Sequence, residues 1–244
     1  MGYIYGLIPV LESLRAKRRR IEEIILAEGN RLARLEELLA LARRVNIPIR
    51  HYKRQYLDNL ANGANHQGVI AIASEAKFTD LMDVIVPSTE KPLYVLLDSV
   101  EDPHNLGAII RTAECAGVKA VIIPEHHSVG LTETVSKSSA GALEYLPVVQ
   151  VTNLVQTIDE LKSQNIWVIG VESDGKTNYT DWDFQVATAV VLGSEGKGIR
   201  RLVKEHCDSL VSIPLLGKVN SLNVSVAAAI ILYEAVRQRR LLAK

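Results

Sequence analysis

The 244-residue chain has only two cysteines, Cys115 and Cys207, far apart in sequence. Two such thiols build neither a disulfide framework nor a metal-ligand cluster. No His-x-x-x-His with a carboxylate partner occurs among the six histidines, so His66, His104, His126 and His127 do not spell a zinc site and no metal is expected. No apolar run approaches the ~20 residues needed to span a bilayer, and no membrane partner is expected. The opening Met1-Gly-Tyr-Ile-Tyr-Gly-Leu7 lacks the charged-then-apolar order of a secretory leader, which makes a cytoplasmic setting the expectation. None of the 15 glycines forms a G-x-G-x-x-G, so the dinucleotide fingerprint is missing. Gly193-Ser-Glu-Gly-Lys-Gly198 looks like a phosphate loop, but Lys197 is followed by Gly198 where Ser or Thr is needed. ATP and GTP are excluded on that ground.

What is present is an ordinary globular composition, 48% hydrophobic and 23% charged. Net charge is zero but unevenly spread. Residues 1–75 carry 12 Lys and Arg against 8 Asp and Glu, and the remainder carries 16 against 20. The basic residues cluster at Arg15, Lys17, Arg18, Arg19 and Arg20, and again at Arg50, Lys53 and Arg54. Such clusters can neutralise phosphates. A solvated helix face is the commoner origin of any one of them.

Apolar spacing divides the chain in two. Residues 5–16 read as an amphipathic helix through Leu7, Val10, Leu11 and Leu14, and residues 31–44 as another through Leu32, Leu35, Leu38, Leu39 and Ala42. Strands are expected at 21–26, 47–49 and 69–73, with a short helix at 53–60. This makes a small α/β unit over residues 1–75, large enough to fold alone. Residues 76–91 form a polar, proline-punctuated linker with a short helix near Leu81-Met82. From residue 92 to 244 strands and helices alternate. Strands are expected at 94–97, 120–123, 148–151, 167–171, 188–192 and 210–213, and a long closing helix at 223–239. Apolar strands with helical crossovers predict a parallel sheet covered on both faces.

Three segments of this second region carry the chemistry. The first is Asp98-Ser-Val-Glu-Asp-Pro-His-Asn-Leu-Gly-Ala-Ile-Ile-Arg111, where a strand becomes a helix. The second is Leu192-Gly-Ser-Glu-Gly-Lys-Gly198, and the third Ile213-Pro-Leu-Leu-Gly-Lys-Val-Asn-Ser-Leu-Asn-Val-Ser225. In order and spacing they resemble the signature motifs of the SpoU (SPOUT) RNA 2′-O-methyltransferases. The resemblance covers nearly all of residues 92–241. It implies an α/β domain tied into a deep trefoil knot, which pattern reasoning alone would not propose. It also implies S-adenosylmethionine as methyl donor, and a homodimer whose subunits complete each other's sites. The first unit is similar to the ribosomal-protein-like RNA-binding module that precedes the catalytic domain in many members. Tyr5-Gly-Leu-Ile-Pro-Val-Leu-Glu12 and Asn65-His-Gln-Gly68 carry that likeness, with Pro9 in place of the usual alanine. Together with the closing Glu234-Ala-Val-Arg-Gln-Arg239, the layout looks most like members that methylate a guanosine of 23S ribosomal RNA.

Each candidate residue has a plain reading beside the functional one. Asn105 could simply cap a helix; the resemblance places it in the active site. Arg111 could be a solvated helical arginine, but the apolar Ala108, Ile109, Ile110 and Ala113 around it argue against an idle side chain. The resemblance gives it the target phosphate and a part in removing the ribose proton. A guanidinium with a pKa above ~12 is a poor base, so bidentate phosphate orientation is the reading adopted. Glu195 could be a turn carboxylate; the resemblance has it ordering Asn105 and Arg111. The resemblance also assigns Leu192, Gly193, Ile213 and Leu222 to the cofactor, and Ser221 and Asn223 to the polar pair beside the reacting centre. Ile213 and Leu222 could equally be core, and Ser221 the N-cap of the last helix.

The expected function is S-adenosylmethionine-dependent 2′-O-methylation of a 23S ribosomal RNA guanosine, with DNA excluded because it lacks the 2′-hydroxyl. Two alternatives stand beside it: a tRNA 2′-O-methyltransferase, and a non-catalytic RNA-binding or ribosome-assembly protein on the same fold.

Overall fold

The chain opens with β1 (Gly2–Tyr5), α1 (Leu7–Ala16), β2 (Ile21–Ala27), α2 (Leu35–Arg44), β3 (Ile49–Tyr52), α3 (Arg54–Ala61) and β4 (Val69–Ala73). The computed structural model describes residues 1–30 and 34–241. Arg31 and Leu32, expected on the second helix, and the last three residues of the expected second domain lie outside the described residues. The four strands form one sheet in the order β1-β4-β2-β3, antiparallel except for the parallel pair β2/β3. Strand alternation sorts the side chains into two cores. Ile24 and Leu26 join Val10, Leu11 and Leu38 of α1 and α2 on one face. Ile25 and Ala27 meet Leu57 and Ala61 of α3 on the other. Tyr5 ends a strand instead of starting the helix, because Gly6 at φ 96° turns the chain between them. Pro9 is the third helical residue, where an N–H has no intrahelical acceptor, so its missing donor costs the helix nothing. His66 is buried, receives the Gly68 N–H on Nδ1 at 2.9 Å and meets Asp58 through Nε2 at 2.8 Å, a structural brace for the turn before β4.

The second region continues β5 (Leu93–Asp98), α4 (Pro103–Cys115), β6 (Ala120–Pro124), α5 (Glu133–Ser138), β7 (Val148–Val151), α6 (Leu154–Ser163), β8 (Trp167–Val171), β9 (Thr177–Asn178), β10 (Thr188–Gly193), α7 (Arg201–His206), β11 (Ser209–Ser212) and α8 (Val224–Leu241). Its seven strands run parallel in the order β7-β6-β5-β10-β8-β11-β9. All six residues of β5 are buried, as expected for a strand covered on both faces.

The chain divides into two compact units, Met1–Lys77 with Leu131–Tyr145, and Phe78–Gly130 with Leu146–Lys244. The segment carrying α5 thus packs within the first unit. There Arg19 pairs with Glu144 at 3.2 Å, both buried, and the Tyr145 hydroxyl donates to Glu12 at 2.7 Å. Burial pushes the Glu144 carboxyl up despite Arg19. The expected helix at Leu81-Met82 is a turn. Its surroundings belong to the second unit: Thr79 N donates to Val148 O at 2.9 Å, Val84 is core, and the Tyr94 hydroxyl donates to Val84 O at 3.0 Å. In the closing helix, Glu234 pairs with Arg237 and receives Gln238, which also donates to Trp182 O. Gln238, which also accepts the Phe184 N–H, and Arg239, which donates to Phe184 O and Val186 O, hold α8 to the 182–186 stretch. Among the described residues, no helix is long and apolar enough to cross a membrane.

The two residues offered as plain helix caps, Asn105 and Ser221, are not the caps. Asp102, not Asn105, caps α4, accepting the His104 N–H at 2.9 Å with Pro103 in the first turn. Asn223, not Ser221, caps α8, accepting from Ser225 N at 2.9 Å and Val226 N at 3.3 Å. Asp102→Ala is expected to cost about 1 kcal/mol. A fall of about 2–4 °C in a thermal melt, the shift per kcal/mol for a domain of this size, checks it.

Candidate active site

In a parallel sheet, ligands bind beyond the carboxyl ends of strands where the strand order switches direction. Here β5 has β6 on one side and β10 on the other, and the first motif leaves β5 just as the second leaves β10. Asn105 lies in the first turn of α4, 8% exposed, and donates from Nδ2 to Glu195 Oε1 at 3.0 Å. Asn223 donates from Nδ2 to the same oxygen at 2.7 Å and to Asn105 Oδ1 at 3.0 Å. Asn223 Oδ1 is taken up by the start of α8, which fixes the amide's orientation. Asn105, Glu195 and Asn223 therefore close a ring of hydrogen bonds among three elements.

A cavity of about 340 Å³ adjoins this ring. Glu195, Leu192, Gly193, Ile213, Ser221 and Leu222 all line it. Arg111 does not join the ring, contrary to the expectation that Glu195 orders it. It is exposed on α4, and its side chain makes no hydrogen bond or ion pair with any described residue. Glu195 spends Oε1 on the two amides instead.

The loop after β10 is closed on itself and pegged at its far end. Ser194 and Gly198 exchange backbone hydrogen bonds at 3.2 and 3.0 Å. Buried Asp98 accepts the Arg200 backbone N–H at 2.8 Å and its Nε at 2.7 Å. Glu172 accepts the Ile199 N–H at 2.5 Å and pairs with Lys204 at 2.9 Å. A Cβ on Gly193 would fall on the Gly198 carbonyl, and one on Gly198 would lie 2.6 Å from Glu172 Oε1. Sequence reading passed over both carboxylates. Asp98 opens the first motif at a strand end, which was a usable signal. Glu172 lines the cavity just past β8 with no motif to mark it. Lys197, Asn220 and Leu215 also line it unannounced. Leu216 and Val219 beside them are almost wholly exposed. Among the described residues, no group of three or more His, Cys, Asp or Glu is placed to hold a metal.

Comparison with known proteins fits this geometry. The SpoU rRNA Methylase family matches residues 92–233, and the RNA 2′-O ribose methyltransferase substrate-binding family matches residues 3–79. The chain belongs to the SpoU rRNA methylase family, and it is an RNA 2′-O-methyltransferase. It is 43% identical over 242 residues to the 23S rRNA (guanosine-2′-O-)-methyltransferase RlmB of Xylella fastidiosa, covering 98% of this chain and 97% of that one. It is 41% identical over 240 residues to YacO of Bacillus subtilis, provisionally named a TrmH family tRNA/rRNA methyltransferase, covering 97% and 96%. The crystal structure of the SpoU methyltransferase AviRb from Streptomyces viridochromogenes, in complex with AdoMet, superposes with a TM-score of 0.82 at 28% identity, covering 98% of this chain and 90% of that one.

Gly193→Ala is expected to destabilise the chain by about 1–3 kcal/mol, the usual cost of overpacking. Gly217→Ala, whose Cβ meets nothing within 4 Å, is the control and should stay within about 0.5 kcal/mol. Urea unfolding of both variants measures the difference.

Proposed function

We propose that the chain methylates the 2′-hydroxyl of a guanosine ribose in 23S ribosomal RNA, using S-adenosylmethionine as donor. The observation that carries this reading is the Asn105–Glu195–Asn223 ring beside the cavity. The cavity suits the donor's chemistry. Leu192, Ile213 and Leu222 offer apolar surface to an adenosyl group, and Gly193 presents bare backbone. Glu195, which pairs with no Lys or Arg among the described residues, adds a negative charge to this lining that would suit a sulfonium cation. When bound, S-adenosylmethionine supplies the electrophilic methyl group, a displacement that needs no metal.

The chain's own residues then have three tasks. Asn105 and Asn223 hold the Glu195 carboxylate in one orientation, and its Oε2 accepts no hydrogen bond from a described residue. That oxygen is an available acceptor for the ribose proton. Ser221 and Asn223 form the polar pair at the reacting centre. Arg111, exposed and unpaired, grips the target phosphate through its two-pronged guanidinium. Alignment of this kind accounts for up to ~7–11 kcal/mol of a barrier.

The first unit captures the RNA, in keeping with its match to a substrate-binding family over residues 3–79. The 43% identity to RlmB supports 23S ribosomal RNA; the tRNA/rRNA name of YacO keeps tRNA as the second reading. The proposal includes a cytoplasmic homodimer with α8 in its interface. Tyr233 and Val226 stand about half exposed on that helix. It also includes the trefoil knot. Residues 213–222 reach the same cavity as the loop after β10, as a threaded chain would require.

The test is transfer of labelled methyl to unmodified 23S ribosomal RNA, 16S ribosomal RNA and tRNA in parallel, with the product mapped. Label on one 23S guanosine is expected, and Arg111→Ala should reduce it roughly 100-fold, the upper range for a charge-assisted contact. Label on tRNA alone transfers the assignment to the second reading. Equal function with Arg111→Ala would favour a non-catalytic role. Sedimentation at micromolar concentration is expected to give twice the 26.9 kDa chain mass. A fully active monomer defeats the dimer.

A further inference from the structure

From residue 38 to residue 57 the chain carries five Lys and Arg, two Tyr, one His and no carboxylate. The fold gathers this stretch at one edge of the first unit. β3 is an edge strand, hydrogen-bonded to β2 alone. Arg43 and Arg44 end α2, Arg50 and His51 lie on β3, and Lys53 and Arg54 begin the turn into α3. All six are exposed. Arg50 is engaged by Glu23 at 2.8 Å and by the Tyr52 side chain. The side chains of Arg43, Arg44, Lys53 and Arg54 make no ion pair or hydrogen bond with any described residue. Elsewhere in the same unit, exposed arginines are paired: Arg15 with Glu12 and Glu37, Arg34 with Glu37. A solvated face of ordinary composition mixes its charges in that way; this edge does not.

Two aromatic rings stand among the cations. Tyr52 and Tyr56 are stacked, with centroids 4.4 Å apart and planes 23° from parallel. Tyr52 packs partly against the core beneath α3, which fixes its ring. Tyr56 lies on top of it and is 46% exposed. A tyrosine that only filled a core would be covered like Tyr5 or Tyr94, at 5% and 0%. The pair instead offers a held aromatic face with two free cations, Lys53 and Arg54, in the chain between the rings.

We infer that this edge of the first unit, Tyr56 with Lys53 and Arg54 and with Arg43 and Arg44 ahead of β3, is where the protein grips a single-stranded segment of its RNA substrate. The inference rests on the RNA-methylating function proposed above. A base inside a duplex already has both faces stacked, so only an unpaired base can lie on Tyr56. Stacking is sequence-tolerant, while Lys and Arg take the flanking phosphates. The surface thus selects an open loop and leaves the choice of nucleotide to the catalytic unit.

The test uses the full chain and steady-state methyl transfer to 23S ribosomal RNA, with S-adenosylmethionine affinity and a thermal melt as controls. Tyr56→Ala should raise KM for RNA roughly tenfold, the effect of one lost base stack, with kcat and donor affinity unchanged. Tyr56→Phe, which keeps the ring, should stay within about twofold. Replacing Lys53 and Arg54 together by alanine should flatten the salt dependence of log KM by about 1.4, at about 0.7 per lost single-strand phosphate contact. That double variant reads the surface independently if Tyr56→Ala melts early. Unchanged KM and unchanged salt slope in both variants, with wild-type transfer intact, would overturn this inference and leave the function standing. No transfer to any RNA by the wild type removes the function first, and this surface with it. Binding a base-paired stem as tightly as its open loop would overturn the single-strand preference.

Discussion

Asp98 ends β5 with none of its surface in contact with solvent. A carboxylate so placed has lost its water and has to be held by protein donors. Arg200 supplies two of them, one from the backbone and one from the side chain. That contact spans 102 residues of sequence and draws the chain after β10 back against the end of β5. Glu172 holds the neighbouring Ile199 N–H from the β8 side. With the end of β10 on one side and these two pegs on the other, the loop of residues 194–198 closes through the Ser194–Gly198 bonds and carries Glu195 in the cavity wall. Losing the Arg200 side chain would leave the buried Asp98 charge without its ion-pair partner, a costlier event than losing an exposed salt bridge.

The same strand ends also start the helices that finish the site. α4 begins just past β5, and its first turn buries Asn105. α8 begins after the long return from β11, and its cap is Asn223. Both amides meet one carboxylate oxygen, so the site is built from the ends of regular elements, with one short loop between them. Such construction gives a well-defined ring with no left-handed backbone at either asparagine. It also explains the distribution of glycine. Gly193 and Gly198 sit where two backbone segments, or a backbone and a carboxylate, touch.

Much of this could be read from the residues. The strands expected at 120–123 and 188–192 are found to within a residue, because a strand buried on both faces has no competing pattern. The cofactor wall was legible only through the motifs, since Ile213 and Leu222 look like any core residue. Three things escaped. β1 was hidden because Gly2-Tyr-Ile-Tyr5 is too short for alternation to show. The caps themselves were missed: the plain alternatives offered were Asn105 and Ser221, but Asp102-Pro103 is a stronger cap and first-turn pair than Asn105, and Asn223 precedes the apolar run more directly than Ser221. The packing of Leu131–Tyr145 within the first unit depends on partners more than a hundred residues away, such as Glu12 and Arg19, and no local pattern encodes that.

The double duty of Asn223 ties binding to helix stability. One side-chain oxygen receives the Ser225 and Val226 amides while the nitrogen completes the ring at Glu195. Whatever orders the ring therefore also orders the first turn of α8, and by linkage the reverse holds equally. A ligand that tightens the cavity lowers the opening frequency of those two amides by the same factor that helix fraying costs in affinity. Hydrogen exchange at residues 225 and 226 thus becomes a gauge of site assembly, readable from the backbone without watching the reaction.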